Sequence, residues 1–190
     1  MLIQIISVIV AMLSEFIYLK IKKDKPVKAM LFTFVFSVII SCTLYFSTNV
    51  IEYITYFAVL SILNMCSIND VIRQESDNLF PVLILICGLF TPSSLIYRIV
   101  SFAFITIVFL LIIVFSKNTI GGGDIKMICA LSFFWGLEIT VTALIISCIS
   151  GILFGLIVKF IAKLPDFNKH FAFLPFVEVG YIIALLMQLY

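Results

Sequence analysis

The sequence predicts an all-α polytopic membrane protein, a bundle of about eight transmembrane helices, on three observations. Hydrophobic residues make up 64% of the 190 positions and charged residues 12%, against soluble averages of about 45–50% and about 25%. Apolar runs recur along the chain, each closed by charge or turn residues, at lengths suited to crossing a bilayer. When those runs are taken as alternating crossings, every Lys and Arg except Arg98 falls on one side, as short cytoplasmic loops require. A hydrocarbon core of about 30 Å needs roughly 20 apolar residues per helix, so this length holds at most about eight spans. The mean hydropathy of +1.29 leaves no stretch for a separate soluble domain. A single integral membrane domain, 1–190, is expected, with any site built from helix ends, short loops and polar residues within the spans.

The elements follow in order. The first span, Leu2 to Leu19, lacks the positive n-region of a cleavable signal peptide. Its basic run LKIKKDKPVK follows the apolar stretch, so a retained span is expected; the run serves as orientation signal and lipid-headgroup contact. Further spans are predicted at Ala29 to Phe46, Tyr53 to Ile68, Leu79 to Phe90, Leu95 to Phe115, Ile125 to Trp135, Ile139 to Phe160 and Pro175 to Leu189. The fourth and sixth are short, and the count becomes seven if the Phe80 and Ile125 segments are partly re-entrant. The charge partition places the N-terminus outside and the loops near Lys23, Arg73, Gly122 and Asp166 in the cytoplasm. Tyr18, Tyr45, Tyr53, Tyr97, Trp135, Tyr181 and Tyr190 fall mostly near span ends, as an interfacial belt would. Ser147, Gly151 and Gly155 form a small-residue stripe that suits close helix packing.

Composition also excludes classes. A net charge of +2 is too small to indicate a nucleic-acid partner. The five cysteines stand singly in apolar runs, and His170, the one histidine, sits in a basic loop where solvation explains it. Neither a zinc or disulfide framework nor any cofactor is implied.

Two cytoplasmic loops hold the chemistry. One runs from Asn69 and Asp70 through Arg73, Glu75 and Asp77 to Asn78; the other reads Gly121-Gly122-Gly123-Asp124-Ile125-Lys126 at the head of a span. Three glycines remove every side chain just before an aspartate, so a peptide could approach that carboxyl closely. Asp124 then enters an apolar helix, where a carboxylate is costly and a functional role is the default expectation; a plain N-cap is the structural alternative. Asp70 ends a span on the same predicted side, so two carboxyls could meet at one rim. Paired aspartates hydrolyse peptides because like charges a few Å apart do not both ionise cheaply: one keeps a proton to polarise the carbonyl, and the other activates water. Asp77 competes with Asp70, seven residues away on one face if the helix continues. Glu15 and Glu178 fall at buried depth, where a protonated helix-to-helix hydrogen bond is expected.

Gly121-x-Gly123-Asp124-x-Lys126 with an upstream Asp70 resembles the Gly-x-Gly-Asp motif of type IV prepilin peptidases and archaeal preflagellin peptidases. The family's Asp-x-x-x-x-x-Ile-Pro-Asn pattern places Asn78 correctly, while Ser76 and Asp77 replace the Ile and Pro. Phe173, Pro175, Phe176 and Gly180 are similar to the Pro-Phe-Gly-Pro-Phe-Leu-x-x-Gly segment of the last helix; Ala172 and Leu174 depart from it. The resemblance implies Asp70 and Asp124 as the catalytic pair. Gly121, Gly123, Lys126, Asn78 and Asp77 are the supporting or substrate-binding residues; Lys126 could tune Asp124 or bind substrate, or could simply snorkel to the interface. It further implies a prepilin-like substrate with a basic leader and an apolar helix, cut at the cytoplasmic face. The paired Cys-x-x-Cys insertion of the large methylating members is missing, so the chain resembles the short, peptidase-only form. Two other readings stand beside it: a presenilin or signal-peptide-peptidase type protease, whose Tyr-Asp and Pro-Ala-Leu motifs the sequence lacks, and a small proton or cation transporter or assembly scaffold.

Overall fold

The computed structural model describes residues 50–73, 77–116, 121–161 and 172–189, and the regular structure among them is helical. The two expected spans before Val50, and the segments holding Glu15, Glu75, Asp166 and His170, lie outside the described residues. Six helices are described: α1 Val50–Arg73, α2 Leu79–Gly88, α3 Leu95–Ser116, α4 Gly122–Trp135, α5 Leu137–Ile161 and α6 Leu174–Leu189. They coincide in order with the third to eighth expected spans.

The boundaries differ where it matters. α1 continues past Ile68 to Arg73, so Asp70 lies within its last turn rather than in a loop. α4 starts at Gly122, which puts Gly122, Gly123 and Asp124 in its first turn with Gly121 at the N-cap position. Asp124 is therefore not the cap residue. At its other end α4 turns into α5 through Gly136 alone, whose φ of 83° and ψ of −178° belong to a region open essentially to glycine. The ring of Tyr97 closes over that corner, 2.5 Å from where a Cβ would stand.

α4 is the axis of the bundle. Every residue from Met127 to Trp135 is buried, and α4 packs against α2, α3 and α5, while α6 packs against α1 and α5. A helix buried all round has no amphipathic stripe to display. The peripheral helices α3 and α5 instead expose Ile96, Val114, Phe115 and Ile152, at 75%, 74%, 82% and 63%. Large apolar surfaces of that kind belong against hydrocarbon, and Glu52–Arg73, Leu95–Phe115 and Leu137–Ile157 are long and apolar enough to cross a membrane. The described chain is a helical membrane bundle.

Lipid supplies little hydrophobic drive between helices, so close packing of small residues matters. At the α5–α6 contact, a Cβ on Gly180 would collide with the Ser147 hydroxyl and the Ala143 carbonyl. Only the upper part of the Ser147, Gly151 and Gly155 stripe makes such a contact, since a Cβ on Gly155 meets nothing within 4 Å. The interfacial belt also needs correction. Tyr53, Trp135 and Tyr181 are buried; Trp135 stacks on Tyr181 with centroids 4.8 Å apart, and Tyr56 meets Trp135 edge-on. Tyr181 donates to the Thr140 hydroxyl at 3.1 Å, which satisfies the phenol inside the bundle. These rings fill the core where α1, α4 and α6 converge.

Candidate active site

Three helix ends meet at the opposite end of the bundle from these rings. α1 brings Asp70, which is 9% exposed. α6 begins beside it, and the Leu174 amide donates to Asp70 Oδ2 at 3.2 Å; the Phe173 backbone also bonds that carboxylate. Pro175 sits in the first turn of α6, where its missing N–H costs nothing. The Phe176 and Val177 amides bond the Phe173 carbonyl at 3.0 and 3.2 Å, so the Leu174 amide and the Phe173 backbone are what this turn offers to an anion.

α4 brings the second carboxyl. Asp124 is half-buried in the first turn, and the Ile125 amide makes the opening helical bond to the Gly121 carbonyl at 3.3 Å. Gly121 has φ −62° and ψ 128°, a conformation open to any residue. Its reason for being glycine is steric: a Cβ there would stand 3.3 Å from Asp124 Oδ2. A Cβ on Gly122 would meet nothing within 4 Å. Asp124 is partly withdrawn from water, and the negative charge of Asp70 acts on its carboxyl, so side chains from distant segments come within each other's reach at this end of the bundle.

The supporting residues divide. Lys126 Nζ donates to Asn78 Oδ1 at 2.9 Å, joining the head of α4 to the residue that precedes α2. The contact is a clasp between two helix starts, which the sequence readings of Lys126, tuning Asp124, binding substrate or snorkelling to the interface, did not include. Asp77 does not extend the helix that carries Asp70, because α1 ends at Arg73 and α2 starts at Leu79. Its carbonyl accepts the Phe80 amide at 3.3 Å in the turn that opens α2. Gly123 is half-buried within the first turn of α4. Glu178 is fully buried, one helical turn beyond Leu174. Among the described residues no three His, Cys, Asp or Glu side chains gather into a group able to hold a metal ion.

Sequence reasoning missed the Leu174 amide, since Leu174 was singled out only as a departure from a motif. A backbone donor carries no side-chain signature; the available signal was Pro175, which marks a helix start. Also missed was Arg98, 4% exposed, with its guanidinium carbon 5.3 Å from the centre of the Phe133 ring.

A bundle of membrane helices that converges two carboxyls beneath a glycine-lined helix start has the makings of a membrane-embedded hydrolase. The chain belongs to the type IV leader peptidase family, whose model matches residues 57–156. The match runs from α1 into α5, and takes in Asp70, Asn78, Asp124 and Lys126 but not α6. No curated protein and no solved structure matches the chain. Membership makes it a membrane protease by family.

Proposed function

We propose that this protein is an aspartic endopeptidase that removes the leader peptide from type IV prepilin-like precursors at the cytoplasmic membrane face. Asp70 and Asp124 are the catalytic pair. The observation that carries this reading is the meeting of these two carboxyls, with the Asp70 charge acting on Asp124, inside a family of leader peptidases. A pair in which one carboxyl is neutral and the other ionised can polarise the scissile carbonyl and activate water in one step. The reaction so framed calls on no metal and no other cofactor.

The substrate is a single-span precursor whose basic leader lies in the cytoplasm. Its apolar helix lies in the bilayer, so the junction between them arrives at the depth of the two aspartates. Gly121 leaves room above Asp124 for the substrate backbone, Gly123 lies in the same turn, and Lys126 and Asn78 fix the heads of α4 and α2. Asp77 stands at the rim where a basic leader would pass. A single integral membrane domain, with its active site on the cytoplasmic side, carries the activity in this reading.

Coexpression with a prepilin-like reporter tests the pair. Asp70→Asn and Asp124→Asn are each expected to reduce leader removal by at least about a thousandfold, as loss of an essential acid or base does, while the protein still inserts in the membrane. Full processing by either variant overturns the aspartic mechanism. Loss with Asp77→Asn but not Asp70→Asn would move the first carboxyl to Asp77.

A further inference from the structure

The two aspartates do not sit in equivalent surroundings. Asp70 accepts a hydrogen bond from the Leu174 amide at 3.2 Å, at the start of a 16-residue helix other than its own. Asp124 lies in the first turn of its own helix, α4, so a helix N-terminus favours charge at both positions, and the bond from α6 is what sets Asp70 apart. The other titratable groups on the elements around Asp70 are Asp124 and Lys126 of α4, Asp77 before α2, Glu178 one turn further along α6, and Arg73 on α1 itself. Lys126 is committed to Asn78.

Resting on the aspartic-pair reading above, we infer that the Leu174 amide is a positioning group that holds Asp70 as the ionised general base, leaving Asp124 to carry the shared proton as the general acid. The chemistry balances. Asp70 takes a proton from water as the water oxygen bonds to the scissile carbonyl carbon, and Asp124 gives its proton to the carbonyl oxygen, forming a gem-diol. Asp70 then returns its proton to the amide nitrogen as the C–N bond breaks, and Asp124 recovers a proton from one of the two hydroxyls. A carboxylic acid and an amine leave, and the pair is restored.

The segment Phe173-Leu174-Pro175 is thereby part of the catalytic apparatus, although it makes its contribution through a backbone N–H. A Leu174→Pro variant deletes that donor at the first position of a helix, where proline is compatible. Leu174→Ala keeps the donor and removes only the buried side chain. An amide-to-ester replacement at residue 174, installed by nonsense suppression, keeps the side chain and removes the N–H alone.

The experiment measures kcat and KM against pH for the full chain in nanodiscs, with a peptide that spans a prepilin leader junction. Removing a bond that favours the charged form raises the carboxyl it serves. The ester and proline forms are expected to move the acid limb of kcat upward by about one unit, which lowers kcat roughly tenfold on the acid side of the profile and much less at neutral pH, with KM little changed. The alanine form, which keeps the N–H, should keep the native acid limb even where loss of the buried side chain lowers kcat at every pH. If the proline form does not fold, the ester decides alone. A native acid limb in the ester form, or an equal displacement in the alanine form, overturns the assignment. Asp70→Asn run beside them separates the two claims: if it cleaves normally the aspartic pair itself is wrong, whereas if it is dead and the ester is native only the role of Leu174 falls.

Discussion

At the scale of single residues, the site separates a position with open space for a methyl group from one where a methyl group would displace the Asp124 carboxyl. Gly121 and Gly122 are adjacent and chemically identical, yet a Cβ at Gly121 presses on the Asp124 carboxyl at 3.3 Å, while one at Gly122 is free for 4 Å. Gly121→Ala is expected to lower leader cleavage at least tenfold with little loss of thermal stability, and Gly122→Ala to leave cleavage within about twofold, both read in the reporter assay. Asp124 sets a second expectation. Its carboxyl is partly withdrawn from water and lies under the negative charge of Asp70, so a charge there costs free energy that a neutral amide does not. Asp124→Asn should therefore melt no lower than the native protein at pH 8, as thermal unfolding in detergent would read. A lower melting point at pH 8 would contradict the burial of that carboxyl. The glycines, Asp124 and Asp70 were legible in the sequence because they are chemically conspicuous in an apolar chain. The Lys126–Asn78 clasp was not, since it joins side chains 48 positions apart whose meeting depends on how α2 and α4 pack. The Leu174 donor belongs to the backbone, which explains how a residue that departs from the motif can still occupy the site.

At the scale of elements, the helices from Val50 onward were read in the right order because each apolar run is closed by charge or turn residues, whether or not it is long enough to cross a bilayer. Their ends were read less well. Hydropathy ends where polar residues begin, while a helix continues as long as its amides find partners, so α1 carries Asn69 and Asp70 inside its last turns. That extension fixes Asp70 on a rigid element rather than on a loop, as a group that must be held within hydrogen-bonding range requires. The small-residue stripe shows the same limit: periodicity marked Ser147, Gly151 and Gly155 alike, but only Ser147 receives Gly180. The two glycines therefore respond in opposite directions. Gly180→Val, forced against Ser147 and the Ala143 carbonyl, is expected to separate α5 from α6 and cost about 3 kcal/mol or more, and α6 would then no longer present Leu174 to Asp70. Gly155→Ala fills open space within a helix and should stabilise by about 0.5–1 kcal/mol. Thermal unfolding in detergent measures both, and a Gly180→Val protein as stable as the native one would show that α5 and α6 do not pack through this notch.

At the scale of the whole molecule, long and short helices are combined so that water can reach a site at membrane depth. α1 at 24 residues spans about 36 Å, whereas α4 at 14 and α6 at 16 reach only about 21 and 24 Å, less than a hydrocarbon core of about 30 Å. Both short helices start beside Asp70, and Gly121, Gly122 and Lys126 at that end are exposed. Aromatic rings seal the far end of α4 around Trp135. The proposed cleavage requires one orientation, with the aspartate end on the cytoplasmic side, as the charge distribution of the sequence predicts. The α2–α3 turn lies at the opposite end, so the two ends can be told apart chemically. In a cysteine-free background, Ser93→Cys is expected to react with a membrane-impermeant maleimide in intact cells, and Leu79→Cys, exposed at the head of α2, only after permeabilisation. The reverse pattern would turn the two aspartates to the outside, away from any cytoplasmic leader, and the proposed cleavage would fail with them.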